Sequence, residues 1–172
     1  MHNEIERKFL VKNMNWMEGA QCKKYRQGYF PVAPNTISMR VRICEREAFL
    51  TIKSKQQGQG FTRKEFEYEI PVNDAEIILD TICLKPTIEK TRYLLRYDSN
   101  LWEIDVFHGE NEGLVIAEIE LESETQQIIL PDWVGKEVTC DLKYYNSMLV
   151  RYPFAKWSKR DILQHNSTND DN

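Results

Sequence analysis

The chain has little with which to cross-link itself, hold a soft metal or cross a membrane. Its four cysteines, Cys22, Cys44, Cys83 and Cys140, are scattered singly through 172 residues. There is no C-x-x-C pair and no histidine at finger spacing, so a zinc ribbon or a disulfide framework is excluded and reduced thiols are expected. Of the three histidines, His2 and His165 lie near the ends. His108 follows a strand pattern and precedes a glycine turn, so it reads as a loop residue. No apolar run reaches membrane-spanning length, and charged residues begin almost at once. Neither signal peptide nor anchor is expected, which makes the expected location cytoplasmic, without a membrane partner. The net charge of −4, from 23 Lys and Arg against 27 Asp and Glu, excludes a wide basic surface for nucleic acid. Any basic site must be local.

What remains is ordinary globular composition, with 41% hydrophobic and 11% aromatic residues. This is enough for one domain with a sizeable core, expected over residues 1–160, followed by a polar tail over 161–172 that is expected to be flexible. Strand signals dominate, punctuated by Pro, Gly and Asn. Eight candidate strands lie at the N-terminus through Val11, then at Lys23 to Phe30, Ser38 to Cys44, Ala48 to Ser54, Thr62 to Ile70, Thr87 to Tyr97, Leu101 to Phe107 and Leu114 to Leu121. Gln56 to Gly60 reads as a flexible turn. A helix is predicted after Pro71, capped by Asn73 with Glu76 three residues on, and with Ala75, Ile78, Leu79 and Ile82 as its apolar stripe. Short helices are predicted over Ser123 to Ile129 and from Tyr144 to Leu149. The fold class is mainly β with a few helices.

Alternate residues of a strand share a face, and face by face the charges fall into register. Glu4, Glu6 and Lys8 oppose Ile5, Phe9 and Val11. Arg40 and Arg42 oppose Met39, Val41 and Ile43, and Lys53 lies opposite Leu50 and Ile52. Arg63, Glu65, Glu67 and Glu69 alternate with Phe66, Tyr68 and Ile70. Lys90 lies with Arg92, Glu103 with Asp105, and Glu118 with Glu120. For any single strand this is the wet side of an antiparallel sheet. Acid pairs on three or four strands and base pairs on two others are harder to obtain from a neutral surface. About eight strands suffice to close a barrel. With the apolar sides outward beneath helices and loops, both signs of charge would meet inside a tunnel. There they must neutralise each other or a guest. Arg forks grip phosphate oxygens, and carboxylates are hard donors for Mg²⁺ or Mn²⁺, so a metal-bound chain of phosphoryl groups fits.

At these residues the chain resembles the CYTH or triphosphate tunnel metalloenzyme family. Glu4-Ile5-Glu6-Arg7-Lys8 matches its E-x-E-x-K signature. The resemblance continues through Arg26-Gln27-Gly28-Tyr29, Arg40-Val41-Arg42, Thr51-Ile52-Lys53, Arg63 to Glu67, Glu89 to Tyr93, Glu103 to Phe107 and Glu118-Ile119-Glu120. It implies an eight-stranded antiparallel closed β-barrel tunnel with helices packed outside. In that tunnel a linear triphosphate loses its terminal phosphoryl group with Mg²⁺ or Mn²⁺, two ions being implied, and the near match of Ile5 to Val11 to short bacterial-type members implies inorganic tripolyphosphate as that substrate.

Carried over residue by residue, the resemblance implies Glu4, Glu6, Asp105, Glu118 and Glu120 as metal ligands, with Glu65 or Glu67 as further ligands or water-positioning groups. Lys8, Arg40, Arg42, Lys53, Lys90 and Arg92 are implied as the triphosphate clamp. Tyr29 stands either as a proton acceptor or as a rim aromatic. Lys143 stands either before a helix that closes one tunnel mouth or as a surface charge. The same family includes class IV adenylate cyclases and thiamine or nucleoside triphosphatases, which are the enzymatic rivals. A non-catalytic polyphosphate-binding module is the rival from another class. A homodimer is implied by resemblance alone.

Overall fold

The structure is a computed structural model that describes residues 5–33, 36–54, 64–123 and 125–166. Nine strands form one antiparallel sheet: β1 (Ile5–Val11), β2 (Gln21–Tyr29), β3 (Ser38–Cys44), β4 (Glu47–Lys53), β5 (Glu65–Glu69), β6 (Ile88–Tyr97), β7 (Asn100–Phe107), β8 (Val115–Leu121) and β9 (Val134–Glu137). The helices are α1 (Val72–Thr81), α2 (Asn146–Arg151) and α3 (Lys159–Asn166). The strand order is β5-β4-β3-β2-β6-β7-β8-β1-β9. Residues of β1 and of β4, far apart in that order, line one cavity, so the sheet curls back on itself with its charged face inward.

Several expectations are corrected. The barrel is not closed by hydrogen bonds: among the described residues β5 and β9 are edges, and no ladder joins them. Both are short, and all five residues of β5 are exposed, with Glu65, Glu67 and Glu69 discouraging further pairing at that edge. The ninth strand, β9, has no alternating apolar pattern. It is held in place by Arg7, whose Nε and Nη2 donate to the Glu137 carboxylate at 2.9 and 2.6 Å. Among the described residues of the stretch from Ser123 to Ile129 there is no helix. Gln126 instead donates to Asn100 Oδ1 and accepts from the Glu122 N–H, which anchors a turn. Helix α1 begins after Pro71 without a side-chain cap, and Ile82 is exposed. Helix α3 runs through Asn166 into the stretch expected to be tail, its start held by Ser158 and Asp161. The 56–60 turn and Arg63 lie outside the described residues.

Three apolar clusters hold the curl. On the outer face of β1, β7 and β8, Phe9, Trp102, Ile104 and Ile119 pack under Trp16 and Trp133. On the outer face of β3 and β4, Val41 and Ala48 pack under Ala75 and Leu79 of α1. The third cluster was not expected, because it lies on the charged face. At one end of the barrel Leu10, Ile88, Phe107 and Ile116 replace charged residues and meet Tyr144, Leu149, Val150 and Trp157 from the C-terminal segment. One end of the interior is therefore plugged with apolar side chains.

Helix α1 lies close against β2 at Gly28, where an added Cβ would stand 2.8 Å from both Cys83 Cβ and Leu79 Cδ2. Gly28→Ala is expected to cost about 1–3 kcal/mol by overpacking. At about 2–4 °C per kcal/mol the melting temperature should fall by several degrees. Differential scanning calorimetry checks this, and an unchanged midpoint would show that α1 can lift off the strand without cost.

Candidate functional site

Above the apolar plug lies a cavity of about 190 Å³. Its walls include six cations, Lys8, Arg40, Arg42, Lys53, Lys90 and Arg92, against three carboxylates, Glu6, Glu103 and Glu118. Tyr25, Gln27, Tyr29, Ser38 and Thr51 line it from β2, β3 and β4, and Tyr145, Asn146 and Ser147 from the C-terminal segment. All six predicted clamp cations on the strands thus meet in one space. Further counterions, Asp105, Glu65 and Glu67, stand outside the lining, so the surface that faces the cavity is itself mostly cationic.

The two sides of the cavity differ. On the β1, β6, β7 and β8 side the charges are buried and interlocked: Asp105 is 0% exposed, Lys90 4%, Lys8 5% and Glu118 8%. Lys8 Nζ donates to Glu118 at 2.5 Å and lies 2.8 Å from Glu6. Arg92 grips both Asp105 oxygens at 2.7 Å, reaches Glu118 at 2.9 Å and also bonds Glu103. Lys90 donates to Asp105 at 2.5 Å. On the β3, β4 and β5 side the pairs are looser, with Arg42 3.3 Å from Glu67 and Lys53 3.1 Å from Glu65. Arg40 reaches only Thr51 Oγ1, at 3.4 Å, and Tyr29. Among the described residues no carboxylate is within ion-pair distance of it. Arg40 is the cation best placed to take a ligand.

Ionisation follows this wiring. Burial alone would raise the carboxyls of Glu118 and Asp105, but the surrounding cations outweigh it and hold both below their ordinary range. Burial pulls Lys90 down to about 8, with Arg92 adding to the effect. Burial also pushes the Tyr29 phenol up, despite Arg40, Lys53 and Lys8 nearby. Tyr29 is therefore a donor near neutral pH and a poor proton acceptor. Depressed carboxyls give stability that is complete above the unfolded pKa of about 4 and is lost as pH falls through the lower folded values. Stability should accordingly decline below about pH 4, and Glu118→Gln should flatten that acid limb. Denaturant midpoints measured against pH test this; equal slopes for variant and wild type would contradict it.

The structure sorts the remaining predicted residues. Glu4 lies outside the described residues. Asp105 is fully buried behind the wall with both oxygens occupied by Arg92 and Lys90, so it orients those cations; Glu103, two residues earlier on the same face, lines the cavity in its place. Glu120 is exposed on the inner face of β8. Glu65 and Glu67 stand behind Lys53 and Arg42 as counterions, Glu67 also accepting from Thr51 at 2.8 Å. Lys143 does not line the cavity. It lies 3.7 Å from Asp141, over the Tyr144 and Trp157 rings. Glu103, Gln27, Tyr25 and Thr51 follow from the same alternation that revealed their neighbours; Asn146 and Ser147 carry no such signal. Among the described residues no three acidic, His or Cys side chains form a ready metal cage. The carboxylates of Glu6, Glu103 and Glu118 are nonetheless hard oxygen donors that fit a divalent ion sharing its shell with phosphate oxygens and water.

This geometry has known counterparts. The chain is 45% identical over 159 residues to a protein named inorganic triphosphatase from Acetivibrio thermocellus, covering 92% of this chain and all of that one. It is 38% identical over 149 residues to another of that name from Nitrosomonas europaea, covering 85% of this chain and 95% of that one. A crystal structure of an inorganic triphosphatase superposes with a TM-score of 0.67 at 36% identity, over 87% of this chain and 95% of that one. A Pyrococcus horikoshii protein, at 19% identity and a TM-score of 0.52 over 70% of this chain and 79% of that one, shares the fold. The CYTH domain model matches residues 2–149, nearly the whole of the curled sheet and its plug, and the chain belongs to the CYTH domain family.

Proposed function

We propose that the protein is a divalent-metal-dependent triphosphatase that hydrolyses inorganic tripolyphosphate to pyrophosphate and phosphate. The observation that carries this reading is the one-ended cavity with six cations against three carboxylates, more positive charge than a single monophosphate needs. Relatives named inorganic triphosphatase, matched almost end to end, support it. Arg40, Arg42 and Lys53 grip the phosphate chain from one side, and Lys8, Lys90 and Arg92 from the other. Glu6 and Glu118, with Glu120 on the same face of β8 and Glu4 by its place in the E-x-E-x-K signature, would hold Mg²⁺ or Mn²⁺. The bound metal supplies Lewis-acid stabilisation of charge on the phosphoryl oxygens. The chain's own contribution is positioning and charge neutralisation at the oxygens of the breaking bond. Carboxylates, and not the Tyr29 phenol, are the acceptors available to orient a water.

The test is phosphate release from tripolyphosphate with Mg²⁺ or Mn²⁺, run beside ATP and thiamine triphosphate. Turnover is expected with tripolyphosphate and is expected to disappear on adding EDTA. Cyclic AMP and pyrophosphate from ATP would overturn the hydrolase reading. Tight tripolyphosphate binding without turnover would make the protein a binding module.

A further inference from the structure

Lys8 is held at both ends by one stretch of chain. Its backbone N–H donates to the Thr139 hydroxyl at 3.0 Å, and its carbonyl accepts from the Val138 N–H at 2.8 Å. Six residues after Thr139 the chain returns to the same place: the Tyr145 hydroxyl donates to the Thr139 carbonyl at 3.0 Å. The Tyr145 ring then faces Lys8 Nζ, with its centroid 5.8 Å away, and both residues line the cavity. Backbone and ammonium of Lys8 are thus referenced to one residue, Thr139, the first directly and the second through Tyr145. The segment is also pinned beyond the ring, because Leu149 and Val150 of α2 are buried in the apolar plug.

A lysine ammonium has three protons to give. Glu118 at 2.5 Å and Glu6 at 2.8 Å account for two of those on Lys8, and these are the carboxylates that the triphosphatase reading assigns to a divalent ion. Burial works against the charge, but Glu118 and Glu6 outweigh it, so Lys8 is an ammonium throughout the neutral range. A third carboxylate beside it would hold it more tightly but would add negative charge where a phosphate must enter. A neutral hydrogen-bond acceptor would consume the remaining proton. The face of an aromatic ring does neither. At 5.8 Å from its centroid the ammonium is drawn by the ring quadrupole without being bonded to it, which leaves the third proton for a ligand oxygen.

We propose that Tyr145 is a positioning residue for Lys8: its ring holds the ammonium on the cavity wall without using a proton, so that the free N–H meets a non-bridging phosphate oxygen. This rests on the triphosphatase reading and adds to it a residue that acts through Lys8. The hydroxyl bond to Thr139 sets the place of the ring, and the ring sets the place of the ammonium. The C-terminal segment thereby tunes a cation that the strands alone supply.

The experiment measures kcat and KM for tripolyphosphate with Mg²⁺, affinity for tripolyphosphate by calorimetric titration in EDTA, and melting temperature. It compares the wild type with Tyr145→Phe, Tyr145→Leu, Lys8→Met and the double variant Lys8→Met with Tyr145→Leu. Tyr145→Leu removes ring and hydroxyl together, and is expected to raise KM and weaken affinity about three- to thirtyfold while kcat stays within about threefold. Tyr145→Phe keeps the ring and is expected to recover most of that loss. Both lose the bond to Thr139, so both should melt lower by a similar few degrees; a residue that only packs would make them alike in KM as well. In the Lys8→Met background, Tyr145→Leu is expected to change affinity by less than about twofold, because the ring then has no ammonium to hold. The proposal is overturned if Tyr145→Phe and Tyr145→Leu raise KM equally, if Tyr145→Leu keeps KM within about twofold of wild type, or if the two losses multiply in the double variant. Should Lys8→Met fail to fold, the comparison of Phe with Leu decides alone. A wild type that binds tripolyphosphate without turnover ends the triphosphatase reading, and the order of calorimetric affinities then decides Tyr145 separately. A wild type that neither binds nor turns over tripolyphosphate overturns both.

Discussion

Arg40→Ala is expected to abolish most tripolyphosphate turnover while leaving the melting temperature essentially unchanged. Arg40 projects from β3 into the cavity and, among the described residues, has no carboxylate partner, with Tyr29 and Thr51 as its polar neighbours. Its guanidinium remains charged: burial works against the charge, but Tyr29, Glu65 and Glu67 outweigh it. Truncating one side of a buried charged contact costs about 2–5 kcal/mol of binding, or roughly 30- to several-thousand-fold in kcat/KM. No buried acid is stranded in the free protein, so stability is spared. Arg40→Lys keeps the charge but loses the fork, and should fall between the two. Steady-state kinetics beside calorimetry check this, and a kcat/KM for Arg40→Ala within about threefold of wild type would remove Arg40 from the clamp.

Arg92→Met is expected to destabilise the protein severely, whatever it does to catalysis. Arg92 bonds Asp105, Glu118 and Glu103 together. Without it Asp105 keeps only Lys90 and Glu118 keeps only Lys8, while Glu103 loses its cation. Breaking a buried pair by removing one partner costs about 3–5 kcal/mol, which at about 2–4 °C per kcal/mol lowers the melting temperature by roughly 6–20 °C. Adding Asp105→Asn should restore part of the loss, because it removes one stranded charge. A single variant that melts within about 2 °C of wild type would mean that the acidic side relaxes to water and is not interlocked. The two arginines lie on one inner face of one sheet, yet among the described residues Arg40 has no carboxylate partner and Arg92 ties three carboxylates together.

That difference is not legible in the sequence, where Arg40 and Arg92 are both basic residues two positions from another base. Alternation placed each on the charged face, and β1 through β8 follow the expected strands closely. It could not say which carboxylate reaches which base, because that depends on the stagger between strands. Lys8 stands opposite Glu118, and Arg92 opposite Asp105, and those registers bury Asp105 while leaving Glu103 to line the cavity. Tyr29 was similarly undecided: cations do surround it, but burial outweighs them.

The sequence by itself determined the alternation, and with it a sheet that has one apolar and one charged face, because side chains on successive strand residues point to opposite sides whatever the tertiary context. It also determined the E-x-E-x-K signature and hence the family. Only the tertiary structure decided that among the described residues no ladder joins the edges β5 and β9, that β9 exists, and that one end is plugged. These features depend on contacts between distant segments: Arg7 with Glu137, and Leu10 with Leu149 and Trp157. Tyr145 beside Lys8 is the clearest case. No periodicity marks it, and it acquires a place in the cavity because Leu149 and Val150 bury themselves in the plug beyond it.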